Sequence, residues 1–329
     1  MRKQKFLFVL LFTILFRPTT FSQQVSGDLE VHYLNVGQAD AILIICPTGD
    51  HKMLIDAGDT RYPGSSAGFK SGIQALLPFG STIDVVVASH PHADHIGSMR
   101  WVFQNYSVLR YIDNGQVYES NLYDSLMSTV FLQTDTGSLE YEPASDVSDE
   151  FPDFCTAENV DAEIIMTDDL FDNCSNANNC SVILKVIYDD ISFLFPGDAE
   201  DDAEEKLLND SDAIKKLNAD VFKAAHHGSN TSNTSEFLKA ISPRYIVVSC
   251  GEKNVGTNSG YKHPRLETIN NFNSILKSKI LRANEVEVYN TESKAWVMKK
   301  VKARMLFTKI DGKVTLKSNG KSIRVIKEH

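Results

Sequence analysis

Residues 89–99 read SHPHADHIGSM and place three histidines and one aspartate within six positions. The apolar run TIDVVVA before this stretch predicts a buried strand, and the residues after it predict a helix. Side chains two apart in an extended segment point the same way, so His90 and His92 can bind one cation together. The turn into the helix directs Asp94 and His95 toward a second position. Imidazole and carboxylate ligands suit zinc, manganese or iron, so the stretch predicts a metal site.

Two further strand ends carry side chains of the same chemical type. The run ISFLFPGD ends on Gly197 and Asp198, which predicts a carboxylate at a sheet edge beside a flexible backbone. The run DVFKAAHH ends on His226 and His227. Antiparallel strands come first in the chain, and strands then alternate with helices, which favours two sheets covered by outer helices.

The order HxHxDH, strand–GD and strand–HHGS resembles the metallo-β-lactamase superfamily of hydrolases. More narrowly, the chain resembles the metal-hydrolase domain of ComEC-type DNA-uptake proteins and the pneumococcal phosphorylcholine esterase. The segment HYLNVGQADAILI is similar to the opening strand pair of that branch, and KHP at residues 262–264 is similar to its late Gly-His-Pro turn. The resemblance covers residues 29 to about 280. It implies an α/β fold class and a four-layer αββα sandwich.

The chain departs from that branch in two respects. Asn35 and Ala39 stand where the branch has aspartate and glycine, although Gln38 and Asp40 remain. Many superfamily members also supply a histidine between the HxHxDH motif and the GD aspartate, but residues 96–197 contain none. The first cation is therefore expected to lack one protein ligand, and water or a later histidine would take its place.

The resemblance implies two divalent cations, with zinc expected and manganese or iron as alternatives. The residues expected to bind the first cation are His90, His92 and Asp198, with a position left for water or His263. The residues expected to bind the second are Asp94, His95, Asp198 and His226. Among these, Asp94, Asp198 and His263 are the expected catalytic residues, and for His263 a role toward the substrate is slightly favoured over metal binding.

Several neighbours are expected to support the site or contact the substrate. Asp56 matches a superfamily aspartate that steadies the ligand loop, and Asp40 is expected in a similar supporting role. Strand alternation turns His227 away from the direction of His226 unless the chain has already begun to turn there, so His227 is expected to orient its neighbour or contact the substrate. Ser229 and Asn230 carry donors that suit phosphoryl oxygens. Their alternative role is that of a polar loop before a helix that begins near Thr234.

Two cations that share Asp198 would bridge a hydroxide at neutral pH, and this nucleophile can attack phosphorus or a carbonyl carbon. His95 favours phosphorus, because phosphodiesterase and thioesterase branches carry a histidine directly after the motif aspartate and zinc β-lactamases mostly lack it. The expected function is therefore hydrolysis of a phosphodiester or phosphoryl ester. A carboxylic ester or lactone hydrolase of the same fold, and a non-catalytic metal-binding surface module, remain the alternatives.

The first 22 residues combine positive charges, an apolar run of eleven residues and a polar stretch that ends on small Ser22, which is typical of a signal peptide. Export to the periplasm or the exterior is therefore expected. Residues 23–280 then form the hydrolase domain, and residues 281–329 form a basic, β-rich segment packed on it. No other stretch of the sequence is long and apolar enough to span a membrane.

Charge is distributed unevenly along the chain. Residues 23–276 contain 15 basic and 38 acidic residues, whereas residues 277–329 contain 14 basic and 5 acidic ones. An acidic body does not suit a general nucleic-acid binder, so a small-molecule or polymeric ester is the expected partner. The basic tail can contact an anionic substrate or simply form a solvated surface. The sequence does not specify an oligomeric state.

The chain contains five cysteines. Cys46 and Cys250 end apolar strand-like runs and are predicted to be buried thiols. Cys174 and Cys180 flank a polar loop and are predicted to form a disulfide, with Cys155 as a competing partner for either.

Overall fold

The computed structural model describes residues 27–61, 63–147, 154–165, 167, 170–171 and 175–328. The strands are β1 (Leu29–Tyr33), β2 (Ile42–Ile45), β3 (Lys52–Ile55), β4 (Thr82–Val87), β5 (Ser107–Asp113), β6 (Glu140–Pro143), β7 (Val160–Ile164), β8 (Leu184–Tyr188), β9 (Ile191–Phe195), β10 (Val221–Lys223), β11 (Tyr245–Val248), β12 (Val286–Asn290), β13 (Ala295–Lys299), β14 (Met305–Phe307), β15 (Lys313–Ser318) and β16 (Ile323–Glu328). The helices are α1 (Pro63–Gln74), α2 (Ala93–Ile96), α3 (Met99–Asn105), α4 (Asn121–Asp135), α5 (Asp201–Asn209), α6 (Ala213–Lys216), α7 (Ser235–Ile241), α8 (Asn258–Tyr261), α9 (Leu266–Ile275) and α10 (Thr308–Asp311).

In the described part of the chain, two large sheets form the body of the protein. The first has eight strands in the order β16-β15-β1-β2-β3-β4-β5-β6, and the second has six in the order β14-β11-β10-β9-β8-β7. Strands β3 to β6 are parallel to one another, as are β9, β10, β11 and β14. Strands β12 and β13 form a separate hairpin.

Three buried clusters show that the molecule has four layers. The inter-sheet core contains Val31 and Val87 from the first sheet and Val186 and Phe193 from the second. A second cluster packs α5, α7 and α9 against the outer face of the second sheet. A third packs α1, α3 and α4 against the outer face of the first sheet. Each fully buried Val, Leu or Phe contributes roughly 1.5–3 kcal/mol, so these interfaces hold the layers together. The predicted αββα sandwich is confirmed.

The basic C-terminal segment is hydrogen-bonded into both sheets. Strand β14 pairs with β11 in the second sheet, and β15 pairs with β1 in the first. Arg282 forms a two-point ion pair with Asp311, with both N–O distances 2.8 Å. Among the described residues, no helix combines the length and apolar character of a membrane span.

The cysteines only partly follow the sequence prediction. Cys46 and Cys155 form a disulfide with a Cα–Cα distance of 6.2 Å, so the prediction of a Cys46 thiol is wrong. The physical reason is that Cys46 ends β2 and Cys155 precedes β7 of the opposite sheet, and both side chains point into the inter-sheet core. Cys250 is a buried free thiol, as predicted. Cys174 lies outside the described residues, so its pairing with Cys180 stays a prediction.

Candidate metal centre

The candidate site lies at one end of the sandwich, where parallel strands from both sheets end. In the first sheet, the segments after β3 and β4 carry Asp56 and the HxHxDH motif. In the second sheet, the segments after β9 and β10 carry Asp198 and the two adjacent histidines. The carboxyl ends of parallel strands share a sheet edge, so residues from four distant parts of the sequence meet here.

The HxHxDH motif forms the turn from β4 into the short helix α2. His90 and His92 lie next to each other, with 3.0 Å between Nε2 of His90 and Nδ1 of His92. His92 precedes the helix in an extended conformation, and Asp94 and His95 follow in its first turn. His90 and His95 are almost completely buried, whereas His92 and Asp94 also line a cavity. The His90 ring lies between the other two, with ring centroids 4.6 Å from His92 and 4.1 Å from His95, so the turn brings the three imidazoles together.

Asp198 is the centre of the cluster. Its Oδ2 lies 3.2 Å from Nε2 of His95, 3.5 Å from Nε2 of His227 and 3.8 Å from Nε2 of His226. Its Oδ1 lies 3.5 Å from Nζ of Lys223. One carboxylate oxygen is thus surrounded by the Nε2 atoms of three histidines, while the other oxygen faces an ammonium group.

The turn that delivers Asp198 depends on Gly197. Its φ of +58° lies in the left-handed region that favours glycine. A Cβ at this position would also lie 2.8 Å from Cβ of Ser89 and 2.9 Å from Cβ of Ser181. Ser181 in turn accepts a hydrogen bond from the backbone N–H of Asp198 at 3.1 Å. Glycine is therefore required for the close packing that positions this carboxylate.

Asp56 holds the loop that carries Ser89 and the HxHxDH motif. Its Oδ1 accepts a hydrogen bond from the backbone N–H of Ser89 at 2.8 Å. Its Oδ2 accepts one from the Ser89 hydroxyl at 2.8 Å and lies 2.7 Å from Nδ1 of His95. A hydrogen on Nδ1 leaves Nε2 of His95 facing Asp198. This carboxylate–histidine arrangement orients the ring, which is the supporting role expected of Asp56.

A buried ion pair lies beneath the cluster. Nζ of Lys223 contacts Oδ2 of Asp40 and donates a hydrogen bond to the carbonyl oxygen of Gly197 at 2.9 Å. Asp40 is completely buried, and Lys223 is 1% exposed. Burial alone would lower the pKa of Lys223, but the charges of Asp40 and Asp198 raise it above its ordinary value. Lys223 is therefore a buried positive charge that holds two carboxylates and the Gly197 turn.

The two adjacent histidines do not follow strand alternation. Both have positive φ, 48° at His226 and 53° at His227, and they lie in a 3-10 turn after β10 has ended. The alternation argument is therefore wrong here. His227 is 1% exposed and points inward, with its Nε2 3.6 Å from Oδ2 of Asp94 and its Nδ1 3.0 Å from the carbonyl oxygen of Ser249. The side chain of His226 is 18% exposed and lies on the cavity wall.

A cavity of about 360 Å³ opens beside the cluster. The residues that line it are His92, Asp94, Asn178, Asp198, His226, His227, Ser229, Asn230, Thr231, Gly260, Tyr261, His263 and Arg265. The His263 ring stacks on Tyr261 and lies 5.3 Å from the His226 ring. The side chain that caps α7 is that of Thr234, which accepts a hydrogen bond from the backbone N–H of Phe237 at 3.3 Å. Ser229 and Asn230 line the cavity.

The protein environment sets the protonation states of the cluster. Burial lowers the pKa of His90 well below its ordinary value, which favours a neutral ring. Burial also acts to lower the pKa of His95, but the carboxylates of Asp198 and Asp56 raise it well above its ordinary value. Burial would raise the pKa of Asp198, but His95 and His227 bring it well below its ordinary range. Asp198 is thus ionised, and a cation bound here would replace a proton on His95.

The comparison with protein families decides the classification. The family model described as the metallo-beta-lactamase superfamily matches residues 34–252, about two thirds of the chain. This chain belongs to the metallo-beta-lactamase superfamily. The membership expected from the HxHxDH, GD and HHGS motifs is thereby confirmed, and members of this superfamily are in general hydrolases.

Two curated proteins that resemble this chain are much longer than it is. ComE operon protein 3 of Bacillus subtilis (strain 168) is 24% identical over 293 residues, which cover 85% of this chain and 34% of that protein. Competence protein ComA of Neisseria gonorrhoeae is 27% identical over 241 residues, covering 72% of this chain and 28% of that protein. The chain therefore spans about a third of the length of these relatives. The metallo-beta-lactamase fold protein YhfI of Bacillus subtilis aligns over 83% of this chain and all of its own, with 12% identity and a TM-score of 0.44.

The cluster has the composition of a superfamily metal centre. Ligand atoms of Asp40, His95, Asp198 and His227 all lie within 4.8 Å of one another. Nε2 of His95 and Nε2 of His227 are buried and make no hydrogen bond of good geometry. Asp40, Asp56, Asp94 and Asp198 are all buried. These four buried carboxylates outnumber the one ammonium beside them among the described residues, that of Lys223, so further positive charge is needed to balance them. Imidazole nitrogens that face a carboxylate without a good hydrogen bond are suitable metal ligands. The residues therefore fit divalent metal ions.

Sequence reasoning overlooked three charged residues at this site. Lys223 stands in the otherwise apolar run ADVFKAA, and a lone lysine in a buried strand is a signal for an internal ion pair. Glu200 follows Asp198 by two positions and contacts His226, with 3.1 Å between its Oε1 and Nδ1 of the ring. Arg265 lies two residues after His263 and lines the cavity. No local pattern distinguishes Glu200 and Arg265 from other surface charges.

Proposed function

We propose that this chain is an exported hydrolase with a two-cation centre that cleaves phosphodiester or phosphoryl ester bonds. The observation that carries the proposal is the position of Asp198, whose Oδ2 lies within 3.8 Å of Nε2 atoms from His95, His226 and His227. A carboxylate placed between ligands that approach from different directions is suited to bridge two cations. Two such cations lower the pKa of a bound water to near neutrality and polarise the bond to be cleaved.

The ligand sets follow from the directions of the side chains. His90, His92, His226 and Asp198 would hold the first cation, and Asp94, His95, His227 and Asp198 would hold the second. This proposal moves His226 from the second cation to the first and adds His227 to the second. The reason is that the His227 side chain is 1% exposed and lies 3.6 Å from Oδ2 of Asp94, whereas the His226 side chain is 18% exposed.

The cavity supports a phosphoryl substrate over a neutral ester. Arg265 brings a permanent positive charge to the wall, and guanidinium groups match the oxygens of a phosphate. Ser229, Asn230 and Thr231 add hydroxyl and amide donors on the same wall. We propose that His263 donates to a substrate oxygen, because its ring is 4% exposed, faces the cavity and stacks on Tyr261.

The substrate class is tested by turnover of bis-p-nitrophenyl phosphate and of a simple lactone by the same preparation, with metal content measured in parallel. We expect hydrolysis of the phosphodiester, its loss after removal of the metal, and its return when zinc or manganese is added. Preferential hydrolysis of the lactone would favour the carboxylic ester alternative. Two bound cations with no turnover of either compound would favour a non-catalytic metal-binding module.

Alanine variants of the late histidines test the ligand assignment. His226→Ala and His227→Ala should each bind one cation fewer than the wild type, because each removes one imidazole ligand. His263→Ala should keep both cations and lose rate. The matched control is His51→Ala, because the Nδ1 of His51 pairs with Asp84 at 2.8 Å in a strand pair outside the cluster. A His263→Ala variant that loses a metal while His226→Ala keeps both would refute the assignment.

Export is proposed from the signal-like first 22 residues, which lie outside the described part of the chain. The Cys46–Cys155 disulfide supports it, because disulfides persist mainly in oxidising compartments such as the periplasm and the exterior. Intact-mass analysis of the exported protein should show loss of about 22 residues. A full-length chain retained in the membrane would contradict this proposal.

A further inference from the structure

Glu200 lies beside the cluster, and both of its carboxylate oxygens accept hydrogen bonds. It caps the start of α5, two residues after Asp198. Its Oε1 accepts hydrogen bonds from Oγ1 of Thr231 and Nδ2 of Asn178, both at 3.0 Å, and its Oε2 accepts one from Nδ2 of Asn176 at 2.7 Å. Its backbone N–H donates to Oδ1 of Asn179 at 3.0 Å. These contacts fix the carboxylate in one place.

The same carboxylate contacts His226. Oε1 of Glu200 lies 3.1 Å from Nδ1 of His226. Because an ionised carboxylate only accepts hydrogen bonds, this contact favours the tautomer of the neutral ring that carries its hydrogen on Nδ1, which leaves Nε2 as the atom that would bind a cation. Glu200 therefore favours the tautomer in which Nε2 of His226 faces Oδ2 of Asp198.

Few other contacts restrain the His226 ring. Its side chain is 18% exposed, and its backbone has left the strand with φ of 48°. The ring meets His263 edge-on at 5.3 Å, and Oγ1 of Thr231 lies 3.3 Å from Nδ1. Nε2 faces Oδ2 of Asp198 at 3.8 Å. Without the contact to Glu200, the ring would lose the partner that holds Nδ1 and could rotate away from Asp198.

We propose that Glu200 is a positioning residue that holds His226 as a ligand of the first cation, an inference that rests on the proposed function. In this role His226 takes the place of the histidine that residues 96–197 do not supply. The asparagine-rich loop that contains Asn176, Asn178 and Asn179 then has a function of its own, because it immobilises the carboxylate that orients the ligand. A carboxylate bonded to a ligating imidazole fixes its tautomer and raises its basicity.

Titration of metal-free protein with zinc or manganese alone, followed by calorimetry, tests this role directly. Glu200→Ala should weaken the affinity for one of the two cations by about 10–100-fold and leave the other unchanged. Glu200→Gln should recover part of the affinity, because the amide oxygen can still accept from Nδ1. The matched control is Glu205→Ala, an exposed glutamate on the same helix, which should bind both cations as the wild type does.

A double variant separates positioning from a general structural effect. In a His226→Ala background, the further change Glu200→Ala should cause no additional loss of cation affinity, since the ring that Glu200 holds is absent. Wild-type affinity for both cations in Glu200→Ala, or an additional loss in the double variant, would overturn the inference. A wild-type protein that binds no second cation would instead refute the proposed function, so the two failures are distinguishable.

Discussion

Asp198→Asn is expected to abolish turnover while leaving the fold intact. Asp198 is the side chain toward which His95, His226 and His227 converge, and an amide is a poor bridge between two cations. Loss of a residue that only supports a metal ligand costs about 10–100-fold, so loss of the shared ligand itself should exceed that range. The measurements are turnover of bis-p-nitrophenyl phosphate, metal content and the thermal unfolding curve.

The matched control is Asp190→Asn at the other end of β9. Asp190 is exposed in the hairpin turn before the strand, so its variant should keep both the metal content and the rate. Near-normal turnover in Asp198→Asn would exclude a mechanism in which this carboxylate is shared by two cations. Loss of cooperative unfolding would show that Asp198 is needed for folding rather than for catalysis alone.

Lys223→Met is expected to destabilise the fold by about 3–5 kcal/mol, since removal of one partner leaves a buried charge unpaired. Methionine fills a similar volume but leaves the buried carboxylate of Asp40 without its ammonium and the carbonyl oxygen of Gly197 without its donor. The measurement is urea unfolding of the metal-free protein, so that altered metal binding does not contribute to the difference.

Two comparisons isolate the contribution of the buried pair. Lys215→Met removes a lysine of α6 whose side chain is 72% exposed, and it should leave the unfolding curve unchanged within error. The double variant Asp40→Asn/Lys223→Met should be more stable than Lys223→Met, because the carboxylate of Asp40 no longer stands buried without its ammonium. If Lys223→Met were as stable as the wild type, the ion pair would not be a significant part of the stability of the site.

Much of the candidate site could be predicted from local sequence. His90, His92, Asp94 and His95 occupy a strand-to-helix turn, and Asp198 ends a neighbouring apolar run. Their positions were predictable because short-range periodicity specifies where a strand ends and which side chains follow it. The same reasoning located the second sheet and the outer helices, so the layers of the fold were predictable as well.

The roles of His226 and His227 were not accessible from the same rules. Alternation along a strand assumes extended backbone, but both residues adopt left-handed conformations after β10 has ended. Backbone with positive φ is uncommon outside glycine and has no reliable signal in the residues themselves. The direction of each ring depends instead on Glu200, Asp94 and the carbonyl oxygen of Ser249, which come from other parts of the chain.

Local sequence pattern was sufficient to predict the types of side chain at the strand ends, their order along the chain and the sandwich that brings the strand ends together. The tertiary structure alone decided the pairings across long separations: Cys46 with Cys155, Asp40 with Lys223, and Glu200 with His226. Each of these pairings joins segments that are distant in sequence or lie on different elements. The first two contacts exist only when the two sheets have packed, because the packing excludes water and places one group opposite the other. The third exists only when β9 and β10 have paired in the second sheet, because their ends then lie side by side.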